Sequence, residues 1–115
     1  MVNLNRIIIA GKVSEDPKLH QTSSGRKFTD ISLSIVDTWK DSKDKVIKKT
    51  AKINVIAWGK QAENCIKYIS KGMHIMCEGR IESESYKDSD GKTQNIVRIN
   101  ANNIVFLEKT NKKDQ

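Results

Sequence analysis

A period of two between apolar and polar residues is the feature of this sequence that most restricts its fold. In the segment FTDISLSIV, Ile31, Leu33 and Ile35 alternate with aspartate and serine residues, and the segment KINVIAW repeats the alternation. Because successive side chains of a strand point to opposite faces, this pattern predicts two strands with one buried and one wet face each.

Three further strands and one helix are predicted around this pair. The apolar run NRIIIAGKV suits a first strand that protein covers on both faces. The segments MHIMCEGRIESESY and QNIVRINANNIVFL predict the last two strands, with a bulge or sharp bend at Gly79. Apolar residues of GKQAENCIKYISKG recur at i, i+3, i+4 and i+7, which predicts a short helix that ends at Gly72.

Five strands with one helix between the third and the fourth are the element order of the OB-fold. That fold is a five-stranded Greek-key barrel whose second and third strands commonly bind oligonucleotides. A chain of 115 residues is long enough for one such domain. We assign the all-β domain to residues 1–107 and expect residues 108–115 to be a short, polar, basic and disordered tail.

Positive charge is concentrated in residues 37–60. This segment contains seven lysines and three aspartates, a net charge of +4 out of +7 for the whole chain. A basic region of this kind indicates a polyanionic partner, either nucleic acid or an anionic membrane surface. A lysine-rich surface that only increases solubility is the alternative.

The aromatic residues favour nucleic acid. Both tryptophans lie within or next to the basic segment: Trp58 shares the polar face of its strand with Lys52, and Trp39 is expected to begin the loop between the second and third strands. Tyr86 ends the fourth strand beside an Asp-Gly turn. Exposed rings of this kind can stack on bases. Of the remaining aromatic residues, Phe28 and Tyr68 are expected in the core.

No enzyme, cofactor or metal site is expected. The sequence has no paired carboxylates, Ser-His-Asp grouping or phosphate-binding glycine loop. Cys65 and Cys77 lack metal-ligand spacing, and His20 and His74 are isolated. No apolar run is long enough for a membrane span, and no signal peptide is recognised. We therefore expect a cytoplasmic, nucleoid-associated protein with reduced thiols and no membrane partner.

The chain resembles the single-stranded DNA-binding proteins of bacteria from about residue 3 to residue 107. The matching elements are a first strand ending in Gly, an Asp-Pro pair, a Trp after the second strand, an aromatic-Gly-Lys before the helix, a Lys-Gly after it and an aromatic before Asp-x-x-Gly. They stand in the segments NRIIIAGKVSEDPKLHQTSSGRKFTDISLSIVDTWKD, VIAWGKQAENCIKYISKGMHIMCEGRI and YKDSDGKTQ.

The resemblance implies a homotetramer of OB-folds that binds single-stranded DNA with little sequence preference during replication, recombination and repair. The stacking aromatics of the family correspond to Trp39, Trp58 and Tyr86. The basic residues expected to bind phosphates are Lys40, Lys43, Lys48, Lys49, Lys52, Lys60, Lys71 and Arg6.

Three departures from the family pattern stand out. Lys52 occupies a position where many members have another aromatic, and Glu82 and Glu84 replace basic residues near Tyr86. The carboxylates are expected to repel phosphates there, so Tyr86 is the weakest of the three stacking assignments. The acidic C-terminal tail through which bacterial members recruit replication and repair proteins is absent, which leaves such partners open and fits a shortened chain or a tail-less phage or organellar relative.

Two alternative functions remain open. One is an OB-type module whose ligand is RNA or a replication-restart protein. The other is an oligomerisation domain with an incidental basic surface. The exposed Trp39 and Trp58 beside the basic segment argue against the second alternative, whereas only the ordered family elements argue against the first.

Overall fold

A computed structural model describes residues 2–107 of the protein, which form six strands and one helix. The elements are β1 (Ile7–Val13), β2 (Leu19–Gln21), β3 (Lys27–Lys40), β4 (Val46–Trp58), α1 (Gly59–Tyr68), β5 (His74–Lys87) and β6 (Thr93–Phe106). All five predicted strands and the helix between the third and fourth of them are confirmed. The three-residue strand β2 is additional; it has no apolar alternation from which it could be predicted.

Five of the strands close into a barrel. Their order is β1-β5-β6-β4-β3, and β1 closes the circle by pairing with β3 at Lys12–Ser34 and Val13–Leu33. The β4–β6 pair is parallel and the other pairs are antiparallel. β2 pairs with the first residues of β3, on the same edge of β3 as β1. This arrangement confirms the predicted OB-fold.

The core fills the inside of the barrel and one end of it under α1. In β3, Ile31 and Leu33 are fully buried whereas Ser32 between them is not, so the predicted alternation holds. The helix contributes Ala62 and Cys65. The core residues are Val13, Ile31, Leu33, Val55, Ala57, Ala62, Cys65, Ile69, Ile75, Cys77, Ile99 and Ala101.

The helix ends earlier than the sequence indicates. Its last residue is Tyr68, and Ile69 has extended backbone angles while its N–H still donates a hydrogen bond to the Cys65 carbonyl. Leaving the helix here brings the fully buried Ile69 side chain into the core. Gly72 lies beyond the helix in the following turn, with a φ of +95°, so the predicted helix end at Gly72 is wrong.

The bulge predicted at Gly79 is confirmed. The register of β5 against β6 shifts between Glu78 and Gly79. A Cβ atom at Gly79 would lie 2.1 Å from the carbonyl oxygen of Asn100, so no other residue fits without moving the backbone. The extra, unpaired residue of the bulge is Asn102 of β6, so β6 bends around the barrel opposite Gly79.

Two hairpin arms extend from the barrel, and in each of them an aspartate side chain stabilises the turn. The Asp41 carboxylate accepts hydrogen bonds from the N–H groups of Lys43 and Lys45, at 2.8 and 2.9 Å. Asp88 does the same for the N–H groups of Asp90 and Lys92, both at 2.9 Å. These aspartate turns join β3 to β4 and β5 to β6.

Among residues 2–107, nothing covers the outer face of β1. Ile8 is 57% exposed, and Ala10 on the same face is exposed as well. The cover predicted for both faces of β1 is thus found on its inner face only within this part of the chain. None of the helices among residues 2–107 is long and apolar enough to span a membrane.

Candidate nucleic-acid interface

Three rings lie side by side on neighbouring strands β2, β3 and β4. His20 pairs with Phe28 and Phe28 pairs with Trp58 in the strand register. The ring centroids are 5.3 Å apart for His20–Phe28 and 5.2 Å apart for Phe28–Trp58, both pairs tilted. We call these three residues the aromatic row.

The aromatic row lies on the outer face of the barrel. Phe28 and Trp58 are half-buried and His20 is exposed. The expectation that Phe28 belongs to the core is therefore wrong; Tyr68 is also only half-buried, with its ring 6.0 Å from that of Phe106. A signal for Phe28 was present in the sequence, because it has the same phase of alternation as the polar residues Asp30 and Ser32.

Arg26 covers part of the row. Its guanidinium carbon lies 4.1 Å from the centroid of the Trp58 ring, which is a cation–π contact. The neighbouring Lys27 points to the other side of β3, where its Nζ is 2.8 Å from the Glu63 carboxylate. Arg26 therefore faces the aromatic row, whereas Lys27 is bound in an ion pair.

A groove of about 230 Å³ runs beside the row. Its apolar wall consists of Phe28, Ile56 and Trp58, and its polar wall is charged. The residues of the polar wall are Thr22, Glu82, Glu84 and Arg98. A flat, neutral ring fits such a groove better than a phosphate does, since the two carboxylates disfavour an anion.

Both carboxylates of this wall have partners. Arg98 donates to Glu84 at 2.5 Å, and Glu82 accepts from Asn100 at 3.0 Å and from Arg80 at 3.2 Å. The Asn100 hydrogen bond, followed by the hydrogen bond and charge of Arg80, lowers the pKa of Glu82. Glu82 is therefore ionised at neutral pH, and the guanidinium groups offset part of the negative charge expected to repel phosphates.

Tyr86 lies on the β5–β6 arm, on the same face as Glu82 and Glu84 according to the strand alternation. It is 49% exposed and pairs with Gln94 of β6. Its side chain is thus available for stacking, in the position expected from the sequence.

Trp39 lies in a strand rather than in a loop. It belongs to β3 and pairs with Ile47 of β4, and pairing continues to Lys40 and Val46. The prediction of a loop was wrong because the tight Asp41 turn needs few residues. Trp39 is 47% exposed. Its register puts it on the face of the β3–β4 ribbon opposite to Trp58.

The predicted lysines fall into two groups. The first group belongs to the β3–β4 arm and is exposed throughout; it consists of Lys40, Lys43, Lys48, Lys49 and Lys52. By alternation, Lys48 and Lys52 share the face of Trp58, whereas Lys49 shares the face of Trp39. The arm therefore carries lysines on both of its faces, and each face also carries one of the two tryptophans.

The other predicted cations lie elsewhere. Lys60 is in the first turn of α1 and lines a separate cavity of about 600 Å³ beside Tyr68 and Phe106. Lys71 is in the connection from α1 to β5, where its N–H donates to Asp16. Arg6 forms an ion pair with Glu78. The fold therefore does not bring these three cations together with the arm.

The buried thiols do not form a reactive or metal-binding site. Burial raises the pKa of Cys65 to about 12 and that of Cys77 to about 11, so both thiols are protonated at neutral pH. Neither forms a disulfide. Within residues 2–107, no group of three or more histidine, cysteine, aspartate or glutamate side chains could hold a metal ion.

Comparison with known proteins identifies the family. The chain is 33% identical over 111 residues to a single-stranded DNA-binding protein of Staphylococcus aureus, covering 96% of this chain and 70% of the relative. It is 35% identical over 115 residues to one of Clostridium tetani, covering 96% and 74%.

Solved structures agree in fold. The Plasmodium falciparum SSB in complex with ssDNA superposes with a TM-score of 0.82 at 21% identity, covering 94% of this chain and 98% of that one. A deletion mutant of the Thermus aquaticus single-stranded DNA binding protein gives a TM-score of 0.77 at 27% identity, covering 91% and 51%. Residues 4–107 match the single-strand binding protein family, and the chain belongs to that family.

Proposed function

We propose that this protein binds single-stranded DNA with little preference for base sequence, by stacking bases on exposed rings and by pairing phosphates with lysines. The observation that supports this most directly is the β3–β4 arm, where exposed lysines surround Trp39 and lead to Trp58. The names of the relatives point to the same ligand.

Stacking explains why the proposed binding tolerates any sequence. Every base has a π-face, so a ring that stacks on one base stacks on all four, with about 1–3 kcal/mol for each stacked base. Trp39, Trp58 and Tyr86 are the proposed stacking residues. Trp39 and Trp58 belong to opposite faces of the β3–β4 ribbon, so a bound strand has to pass around the arm to reach both.

The lysines of the arm supply the affinity for the phosphate chain. Lys40, Lys43, Lys48, Lys49 and Lys52 are the proposed phosphate contacts on this surface. Lys60, Lys71 and Arg6 remain candidates on a longer path around the barrel. Binding through phosphates releases counterions, so affinity should fall as salt rises.

We propose further that the protein acts as a homotetramer. On one outer face, Ala10 of β1 pairs with Met76 and Met76 with Val105, whereas Ile8 pairs with Glu78, whose charge Arg6 offsets. An apolar strand face of this kind suits pairing with a second copy. The proposed cellular role is protection of single-stranded DNA in the cytoplasm during replication, recombination and repair, without catalysis and with protein partners left open.

Titration with oligo-dT, followed by tryptophan fluorescence, tests the proposal. We expect strong quenching, because bases that stack on Trp39 and Trp58 quench their emission. Oligonucleotides of one mixed sequence, as DNA and as RNA, distinguish the proposed ligand from the RNA alternative. Tight binding of RNA with weak binding of DNA, or unchanged fluorescence with no complex, would contradict the proposal.

A further inference from the structure

The aromatic row is longer than the proposed stacking contacts require. His20 and Phe28 continue the ring surface of Trp58 across β3 to β2, with centroid distances of 5.3 and 5.2 Å. Three rings on three adjacent strands form one continuous surface that can carry more than one base.

The barrel core does not explain these rings. The buried side of β3 at this point consists of Thr29 and Ile31, both fully buried. Phe28 has the opposite phase and is half-buried, and His20 is exposed. Neither ring fills the core, so their place on the outer face calls for another explanation.

Charge is distributed unevenly across the row. Glu82 and Glu84, which line the groove beside Trp58, are bound to Arg80 and Arg98. Arg26 rests against the Trp58 ring and has no carboxylate partner in the part of the chain that the structure describes. Arg26 is therefore the cation of the row that is available to a phosphate.

The contact between Arg26 and Trp58 is also replaceable. A cation–π contact at an exposed site is weak, whereas an arginine–phosphate contact is a charge-assisted hydrogen bond. A base that stacks on the Trp58 ring would take the place of the guanidinium, which would then be free to bind a phosphate. The loss of one contact is thus compensated by another.

We infer that His20, Phe28 and Arg26 form an additional subsite for single-stranded DNA. Bases stack on the rings of Phe28 and His20, while Arg26 binds the adjacent phosphate. The inference rests on the proposed function and extends its path from β4 to β2.

Removal and restoration of the ring at position 28 form the first test. Phe28→Leu should weaken oligo-dT binding by about fivefold or more, which corresponds to the lower limit of about 1 kcal/mol for a stacked base. Phe28→Tyr, which keeps the ring, should bind like the parent. Phe106→Leu removes a half-buried ring beside α1 and serves as the control with unchanged affinity.

A reporter at the same position separates contact from structural support. A variant with Trp39→Phe, Trp58→Phe and Phe28→Trp carries its one tryptophan in the proposed subsite. Oligo-dT should quench its emission, whereas a ring that merely supports Trp58 would keep its emission. This variant also tests the subsite if Phe28→Leu fails to fold.

Adjacent cations provide the test of Arg26. Arg26→Gln should reduce the slope of log affinity against log salt by about 0.7, the value for one phosphate contact on a single strand. Lys27→Gln removes the same charge one residue away, on the side bound to Glu63, and should leave the slope unchanged.

The outcomes separate this inference from the proposed function. If the parent protein does not bind oligo-dT, the proposed function itself fails. If the parent binds and quenches, but Phe28→Leu binds equally well and the reporter is not quenched, only the additional subsite is wrong. An equal change of slope in Arg26→Gln and Lys27→Gln would exclude the specific phosphate contact of Arg26.

Discussion

At the scale of single residues, Trp58 and Trp39 differ in their surroundings. Trp58 is half-buried between Phe28 and Arg26, whereas Trp39 is 47% exposed on the arm. Because its neighbours already fix the Trp58 ring, less side-chain entropy is lost on stacking. Trp58→Ala should therefore cost the larger share of the roughly 1–3 kcal/mol for a stacked base.

The same pair of variants should differ in stability. Trp39→Ala should keep the melting temperature of the parent, while Trp58→Ala should lower it, because the Phe28 contact is lost. Equilibrium titration with oligo-dT and a thermal melt of each variant measure the two effects. Equal affinities of Trp58→Ala and the parent would show that this ring packs but does not stack.

Glu82 gives a prediction about pH. Its pKa is lowered from 4.5, first by the hydrogen bond from Asn100 and then by Arg80. A carboxyl whose pKa is lower in the folded state stabilises the fold above its unfolded pKa, and this contribution is lost as pH falls through the folded value. Glu82→Gln should therefore be less stable than the parent at pH 7, and the difference should vanish well below pH 4.5 in urea unfolding. A difference that persists in acid would contradict this origin.

The sequence was least informative about the single residues of the aromatic row. The alternation puts Phe28 in phase with Asp30 and Ser32, yet a large aromatic residue is usually assigned to the core. The row became visible only when β2, β3 and β4 were seen as neighbours, since His20 and Trp58 are far apart in the sequence.

At the scale of elements, the arm should determine the salt dependence of binding. Lys48 and Lys49 lie on opposite faces of β4, in the outer part of the arm, where they pair with Thr38 and Asp37 of β3. Replacing both with alanine should reduce the slope of log affinity against log salt by about 1.4, for two lost phosphate contacts. Lys67→Gln on α1 is the control. A parent slope near zero would exclude an electrostatic track altogether.

The bulge opposite Gly79 gives a second prediction at the scale of elements. Gly79→Ala would bring a Cβ to 2.1 Å from the Asn100 carbonyl oxygen, so the β5–β6 pairing has to shift. We expect a loss of about 1–3 kcal/mol in the free energy of unfolding, as for other overpacked sites. Gly91→Ala is the comparison and should cost less: Gly91 has open space around it, so only its positive φ of 79° disfavours alanine there. A smaller loss for Gly79→Ala than for Gly91→Ala would be inconsistent with the clash.

The alternation of apolar and polar residues predicted β3 and β4 only where one face of the strand packs against the core. FTDISLSIV alternates because one face meets the core, and the strand follows directly. The outer half of the arm, DTWK with VIKKT, has no buried face and hence no such signal. Because this signal is missing, the sequence indicated a loop there. In the structure, cross-strand pairing and the Asp41 turn extend β3 and β4 through this segment.

At the scale of the whole molecule, closure of the barrel depends on pairs that are remote in sequence. The parallel β4–β6 contact joins Asn54 to Arg98, and the β1–β3 contact joins Lys12 to Ser34. No local pattern encodes these pairs. Only the order of elements, compared with a known architecture, predicted them.

We expect several copies of the chain to associate through the outer face of β1. Ile8 is 57% exposed on an apolar face, so association should bury it. Four copies of the 13.0 kDa chain should give about 52 kDa by light scattering at micromolar concentration. Ile8→Glu should dissociate the assembly, because it would place a second carboxylate directly opposite Glu78 in the interface. Val97→Glu, at a similarly exposed valine of the β5–β6 arm, should leave the mass unchanged. A parent protein that stays at 13 kDa while it binds oligo-dT tightly would show that one barrel is sufficient.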